Sequence, residues 1–198
     1  MRLIVIAGIP GSGKTTIVKE CCKGHDYAFV GNNEESCKLL EDDCKDYDFY
    51  PFKSPCARVR QFKYRLDLME AKHPKVLISE PPGNCMEISS PMLNPIYIND
   101  RARIEIGPLM TAIDTNKLLE EGLSKRTTEG LRTWNMVDES DVIVLTFSED
   151  ISDEVRNNLR SIIAKINPDA KVLFFPDEKD TITECIFGNM GYYRPLNN

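Results

Sequence analysis

Eight residues constrain this chain more than any others: Gly8-Ile9-Pro10-Gly11-Ser12-Gly13-Lys14-Thr15 complete a G-x-x-x-x-G-K-[ST] loop. The apolar run Leu3–Ala7 leads into it and Thr16–Cys21 leads out, which is the strand–loop–helix setting the motif requires. Glycines let successive backbone N–H groups turn toward one small volume, and the following helix adds the positive end of its dipole. The expected cradle is Gly8, Pro10, Gly11, Ser12, Gly13, Lys14, Thr15 and Thr16. Lys14 is expected to reach the β- and γ-phosphates, in binding and in catalysis, and the Thr15 hydroxyl to ligate Mg²⁺. A chain built around this loop is expected to bind GTP or ATP with Mg²⁺.

The rest of the chain supplies the scaffold such a loop needs. Apolar segments at 2–7, 27–30, 75–79, 109–114, 141–146 and 171–175 alternate with helical stretches. That alternation predicts an α/β fold, a three-layer P-loop NTPase with a mostly parallel sheet of about six or seven strands. Helices are expected from Gly13 to Cys22, around Ser36–Cys44, from Ser54 to His73, over Asp150–Ile166 and over Asp180–Phe187. In the third of these, Val59, Phe62, Leu66 and Met69 form one apolar stripe, with Arg58, Arg60, Lys63 and Arg65 mostly off it. Met86–Arg103, interrupted by Pro91 and Pro95, reads as a long connection across the surface. No repeat or linker divides the chain, so one nucleotide-binding domain is expected over residues 1–198.

Composition narrows the partners. A net charge of −6 argues against a nucleic-acid or membrane-surface binder, because phosphate contacts need clustered Lys and Arg. No apolar run approaches a membrane span, and Leu3–Ala7 is too short for a signal-peptide core, so the expected location is the cytoplasm. Seven cysteines, an odd count without a C-x-x-C pair of zinc-ribbon type, favour thiols or metal ligands over a disulfide framework. His25 and His73 stand singly in turns and receive no role.

In a parallel sheet, ligands gather at the carboxyl ends of the strands. Glu80 stands directly after the segment 75–79, where a carboxylate can serve Mg²⁺ or orient a water, which makes it a candidate catalytic residue and metal ligand. Gly83 would let the backbone approach a γ-phosphate, with Pro81-Pro82 stiffening that approach.

The P-loop near residue 8, Glu80-Pro81-Pro82-Gly83 after the third strand candidate, the strand order and the place of Cys56 together resemble the SIMIBI-class metal-insertion GTPases. That group includes the nickel-insertion GTPases for urease and hydrogenase and the cobalamin-synthesis W proteins. The resemblance implies Mg²⁺-GTP binding and a homodimer formed around nucleotide. It also implies slow hydrolysis coupled to delivery of nickel, cobalt or zinc to a client metalloenzyme or maturation factor. Cys56 matches the cysteine of the family's metal motif. Near a helix start, with Arg58 close by, its thiolate is favoured, and Cys85 is a plausible second ligand, two such pairs making a four-thiolate site across a dimer. The sequence also departs from the pattern. Thr146-Phe147-Ser148-Glu149 stands where the guanine-reading N-K-x-D is expected, so only the acidic Glu149 remains to read a base. Asn116-Lys117 is a fragment of that motif without its acid. Asn32-Asn33 replaces an Asn-Asp, leaving Asn33 as the candidate nucleotide contact. Two other readings stay open: an ATP-using small-molecule kinase with Arg58, Arg60 and Arg65 as a phosphate clamp, and a nucleotide-dependent scaffold that does not hydrolyse.

Overall fold

The computed structural model describes residues 1–49, 59–189 and 193–195. Its strands are β1 (Arg2–Ala7), β2 (Tyr27–Gly31), β3 (Asp46–Phe49), β4 (Val76–Ser79), β5 (Glu105–Asp114), β6 (Val142–Thr146) and β7 (Lys171–Phe174). They pair in parallel into one sheet of order β3-β2-β4-β1-β5-β6-β7. Every residue of β1 is buried, as expected of a strand covered on both faces. Because β1 lies between β4 and β5, the loop that follows it leaves from the middle of the sheet, where the topology opens a crevice for a ligand.

Alternate residues of β1 feed two different cores. Ile4 and Ile6 face α1 (Lys14–Cys21) and α8 (Lys179–Phe187) through Ile17, Val18, Ile182 and Ile186. Leu3 and Val5 face the other layer, where α3 (Val59–Glu70) contributes Phe62, Leu66 and Met69 and α4 (Asn94–Asp100) contributes Ile96. Around β6, Ile143 and Leu145 pack on Leu159 and Ile163 of α7 (Asp153–Ala164). The register between β1 and β5 slips between Leu3 and Val5, opposite Gly107-Pro108. Proline has no N–H to give the ladder, and a side chain at 107 would strike Ile4 at 2.3 Å.

Two expectations are corrected. Asp46–Phe49 is an edge strand that is absent from the apolar segments predicted above. Its acids hide the signal, and they are there to pair with α3: Asp46 with Lys72 just beyond the helix, Asp48 with Arg65. The segment 86–103 is not a surface connection. A π-helix at Ser89–Leu93 runs into α4, and Ile88, Met92, Leu93 and Ile96 are buried. The Glu139 carboxylate, at the end of α6 (Thr128–Glu139), accepts from the amides of Ile88 at 2.9 Å and Ser89 at 2.9 Å, and so satisfies the exposed start of that helical turn. Pro95 falls in the first turn of α4. No helix among the described residues is long and apolar enough to cross a membrane.

Candidate nucleotide site

The loop after β1 folds as its glycines dictate. Gly8 has φ 144, and a side chain there would lie 2.4 Å from Ser12 Oγ and 2.5 Å from the Ala112 carbonyl oxygen. Gly13, at φ 80, is the N-cap of α1 and brings no capping side chain, so the first N–H groups of the helix are left for a ligand. Lys14 is only 6% exposed, and its ammonium donates to the carbonyls of Gly8 at 2.9 Å and Ile9 at 3.0 Å. Burial holds its pKa below the usual lysine value, with the Glu80 carboxylate opposing that shift. Pro10, Gly11 and Thr16 are exposed on the outer rim, while Ser12 is buried.

Glu80 meets this loop from β4. Its amide donates to the Val30 carbonyl at 3.0 Å, fixing the residue between β2 and β4 at the carboxyl ends of both. The side chain is fully buried. Glu80 Oε2 accepts from the Thr15 hydroxyl at 2.9 Å, and Oε1 has no hydrogen-bond partner. Burial pushes the carboxyl up to about 7, against the pull of Lys14 and Thr15. A hydroxyl beside a carboxylate with one unsatisfied oxygen is a donor set that fits a hard cation such as Mg²⁺. The expected pair, Thr15 and Glu80, is therefore assembled.

Ser36 joins them without having been anticipated. Its hydroxyl lies 3.4 Å from Thr15 Oγ1. It is placed by Asn33, which caps α2 (Glu34–Leu40) by accepting from the Ser36 amide at 2.8 Å. The N-x-x-S spacing is its sequence signal, an asparagine N-cap with the serine three residues on. Asn33 itself is exposed, with its amide nitrogen on Asn32 Oδ1 at 2.6 Å and its side-chain oxygen on the helix start. Asn116 and Lys117 lie in the first turn of α5 (Thr115–Glu121), where their amides cap onto Asp114.

Gly83 is in contact with the loop itself. A β-carbon there would sit 2.6 Å from both Cδ and N of Pro10 and 2.7 Å from the Gly8 carbonyl oxygen. Two of those three atoms are backbone, so nothing can rotate away. Gly83→Ala is expected to destabilise the protein by about 2 kcal/mol, the range for overpacking a close contact. It should also weaken nucleotide binding roughly tenfold by prising the loop open. Denaturant unfolding and titration calorimetry check the two effects separately.

The remaining predicted residues are dispersed. Cys85 is fully buried among apolar side chains that include Ile88 and Met92. Cys56 and Arg58 lie outside the described residues. Among the described residues no group of three or more His, Cys, Asp or Glu is placed to hold a metal ion. Arg65 pairs with Asp48, and Lys63 bonds Asp100 at 2.8 Å, so part of the basic run on α3 is tied into structural ion pairs. Glu149 is exposed beyond the end of β6. Thr146, unassigned from sequence, is a loop brace: its hydroxyl lies 3.0 Å from the Ser12 carbonyl and 3.1 Å from that of Ile113.

Comparison with known proteins agrees with this fold. The model for the CobW/HypB/UreG nucleotide-binding domain matches residues 2–174. Comparison with curated protein sequences finds no match. Among solved structures, the chain is similar to HypB from Helicobacter pylori in complex with nickel, with TM-score 0.60, 12% identity, and 99% of this chain and 90% of that one covered. It is also similar to the Zn(II)-bound YjiA GTPase from E. coli, with TM-score 0.63 and 17% identity over 100% of this chain and 67% of that one. A third is the hydrogenase maturation factor HypB from Archaeoglobus fulgidus, with TM-score 0.56 and 14% identity over 88% and 81%. At these identities the structures speak for the fold.

Proposed function

We propose, from the premise that this chain belongs to the CobW/HypB/UreG family of nucleotide-binding domains, that it binds a Mg²⁺–nucleoside triphosphate, hydrolyses it slowly, and uses that cycle in metal delivery. The observation that carries the reading is the cluster of Lys14, Thr15 and Glu80 at the carboxyl end of the sheet, with one Glu80 oxygen unsatisfied. Lys14 and the loop amides hold the phosphates. Thr15 and Glu80 would hold Mg²⁺, which when bound neutralises charge on the β- and γ-phosphate oxygens. Glu80, enclosed and held by burial above the usual carboxylate range, also gives the site a group that can accept a proton.

Support for metal cargo comes from the family and from relatives solved with nickel and zinc. In this chain the transition-metal part of the proposal rests on Cys56, since the Cys85 sulfur is enclosed by core side chains. The proposed partners are a second copy of the chain and a client metalloenzyme or its maturation factor, and the proposed location is the cytoplasm. A second reading, a non-hydrolysing scaffold, has one observation behind it: Asn33, standing where the family carries an acid, is occupied in capping α2.

Titration calorimetry with GTP and ATP, with and without Mg²⁺, followed by phosphate release with and without Ni²⁺, Co²⁺ or Zn²⁺, tests the proposal. Binding that requires Mg²⁺, with slow turnover that responds to one of the three metals, is expected. Binding without turnover selects the scaffold. Phosphoryl transfer to an added acceptor, or no nucleotide binding at all, overturns it.

A further inference from the structure

The amino ends of three central strands, β4, β1 and β5, frame a cleft at the opposite end of β1 from the phosphate loop. Its volume is about 590 Å³, within the range of roughly 300–1,000 Å³ usual for small-molecule sites. Main-chain pairing makes its floor rigid. The Arg2 amide donates to the Lys75 carbonyl at 2.9 Å, and Arg2 stands in register with Glu105 of β5. The turn after α4 brings Arg101 and Arg103, and is closed by the Ile104 amide on the Asp100 carbonyl at 2.9 Å. His73, just beyond α3, completes the rim. It has φ 57, in the left-handed region where glycine is the usual residue, and its amide donates to the Glu70 carbonyl at 2.9 Å. A position suited to glycine therefore carries an imidazole, exposed at the mouth of the cleft. Backbone held in that region against side-chain preference is found where it serves a site.

The charges lining this cleft do not cancel. Four cations, Arg2, Lys75, Arg101 and Arg103, stand against two carboxylates, Glu70 and Glu105. Both carboxylates are taken. Glu105 holds Arg2 at 3.1 Å, and Glu70 holds Arg103, which also bonds Asp100 at 2.6 Å. Lys75 and Arg101 are exposed and enter no ion pair or side-chain hydrogen bond among the described residues. The cations of α3 and its end, Lys63, Arg65 and Lys72, are by contrast all ion-paired. Two positive charges in excess therefore share one concave place on a chain whose net charge is −6. Concavity matters, because walls of low dielectric focus a field that open water would screen. We propose that this cleft binds a small polyanion, a phosphate- or carboxylate-bearing molecule held by Lys75 and Arg101 with His73 at its rim. The ammonium offers a point charge and the guanidinium a planar fork, and both suit oxyanions. The full length of β1 separates this cleft from the phosphate loop, so the proposal stands independently of the nucleotide reading.

Amide chemical-shift mapping of the full chain in EDTA at low ionic strength, with inorganic pyrophosphate and separately with citrate, tests this. The signals of His73, Lys75, Arg101 and Ala102 should move saturably, with a Kd on the order of 1 mM or tighter. Added salt should weaken the binding, as it does for exposed charges. A response to pyrophosphate alone assigns a phosphate ligand, to citrate alone a carboxylate, and to both the chemistry they share. Lys75→Glu and Arg101→Glu should each weaken binding about tenfold or more, with Lys75→Ala and Arg101→Ala as milder truncations of the same exposed side chains. His73→Gly takes the left-handed conformation freely, so it should melt no lower than the unaltered protein while binding about threefold more weakly. Lys14→Ala should leave the titration of the cleft unchanged, which separates this site from the phosphate loop. Movement confined to Gly8–Thr15, or cleft signals that move equally in both charge-reversed variants, overturns the proposal and leaves the nucleotide reading standing.

Discussion

Lys14→Ala is expected to weaken Mg²⁺–nucleotide binding by roughly a hundredfold or more, about 3 kcal/mol, as read by titration calorimetry. The ammonium is enclosed and held on the Gly8 and Ile9 carbonyls, and burial already depresses its pKa. Such a cation, bonded to two neutral carbonyls with the Glu80 carboxylate only partly offsetting its burial, gains from an arriving anion. Phosphate oxygens would take over from two neutral carbonyls as partners, and charge-assisted bonds are about twice as strong as neutral ones. The fold should survive, because the loop is also braced by Thr146 and by its contact with Gly83. Unchanged affinity in Lys14→Ala would sink the nucleotide reading at its centre.

Glu80→Gln is expected to change the pH dependence of stability as well as the Mg²⁺ requirement. Burial raises the carboxyls of Glu80 and Glu139 to about 7 in the folded state, from an ordinary value of 4.5. Between those two pH values the folded protein binds more protons than the unfolded chain, so stability falls as pH rises through the window. Each group contributes up to about 1.4 kcal/mol per pH unit, on the order of 3 kcal/mol per group across the window. In EDTA, urea unfolding of the unaltered protein should therefore show a loss of stability between about pH 5 and pH 8. Glu80→Gln should remove close to half of it, leaving the Glu139 share, and at pH 8 be the more stable protein. It should at the same time lose tenfold or more in Mg²⁺-dependent nucleotide affinity, because an amide oxygen replaces a charged ligand. A pH profile identical to that of the unaltered protein would show that Glu80 is not enclosed as described.

These predictions rest on contacts that the sequence discloses unevenly. The loop was legible because its chemistry is local: Gly8 to Thr15 is one turn of chain, and spacing alone specifies it. The parallel sheet was legible from the apolar runs of β1, β4, β5 and β6. Strand β3 was not, since Asp46 and Asp48 look like loop residues until α3 supplies Lys72 and Arg65. Nor was the buried turn at 88–96, whose amides need a carboxylate from Glu139, about fifty residues away. Within the site, Thr15 and Glu80 could be paired by family resemblance and strand order. Gly83 was legible as a close-approach glycine, but its neighbour Pro10 was not, and Ser36 was missed because contact across the fold brings it to Thr15; the left-handed backbone of Phe147, at φ 54, has no sequence signature at all.

The fit of Gly83 against Pro10 has a mechanical consequence. Two stretches of main chain that meet with no room for a methyl group behave as a linkage without play. The ten residues from Glu80 to Ser89 are pinned at their start by Thr15, near their middle by Pro10, and at their end by Glu139. A shift of the phosphate loop by even a few tenths of an ångström has no slack to vanish into there. It bears directly on Gly83, in a segment whose other end is held by the last turn of α6 through Glu139.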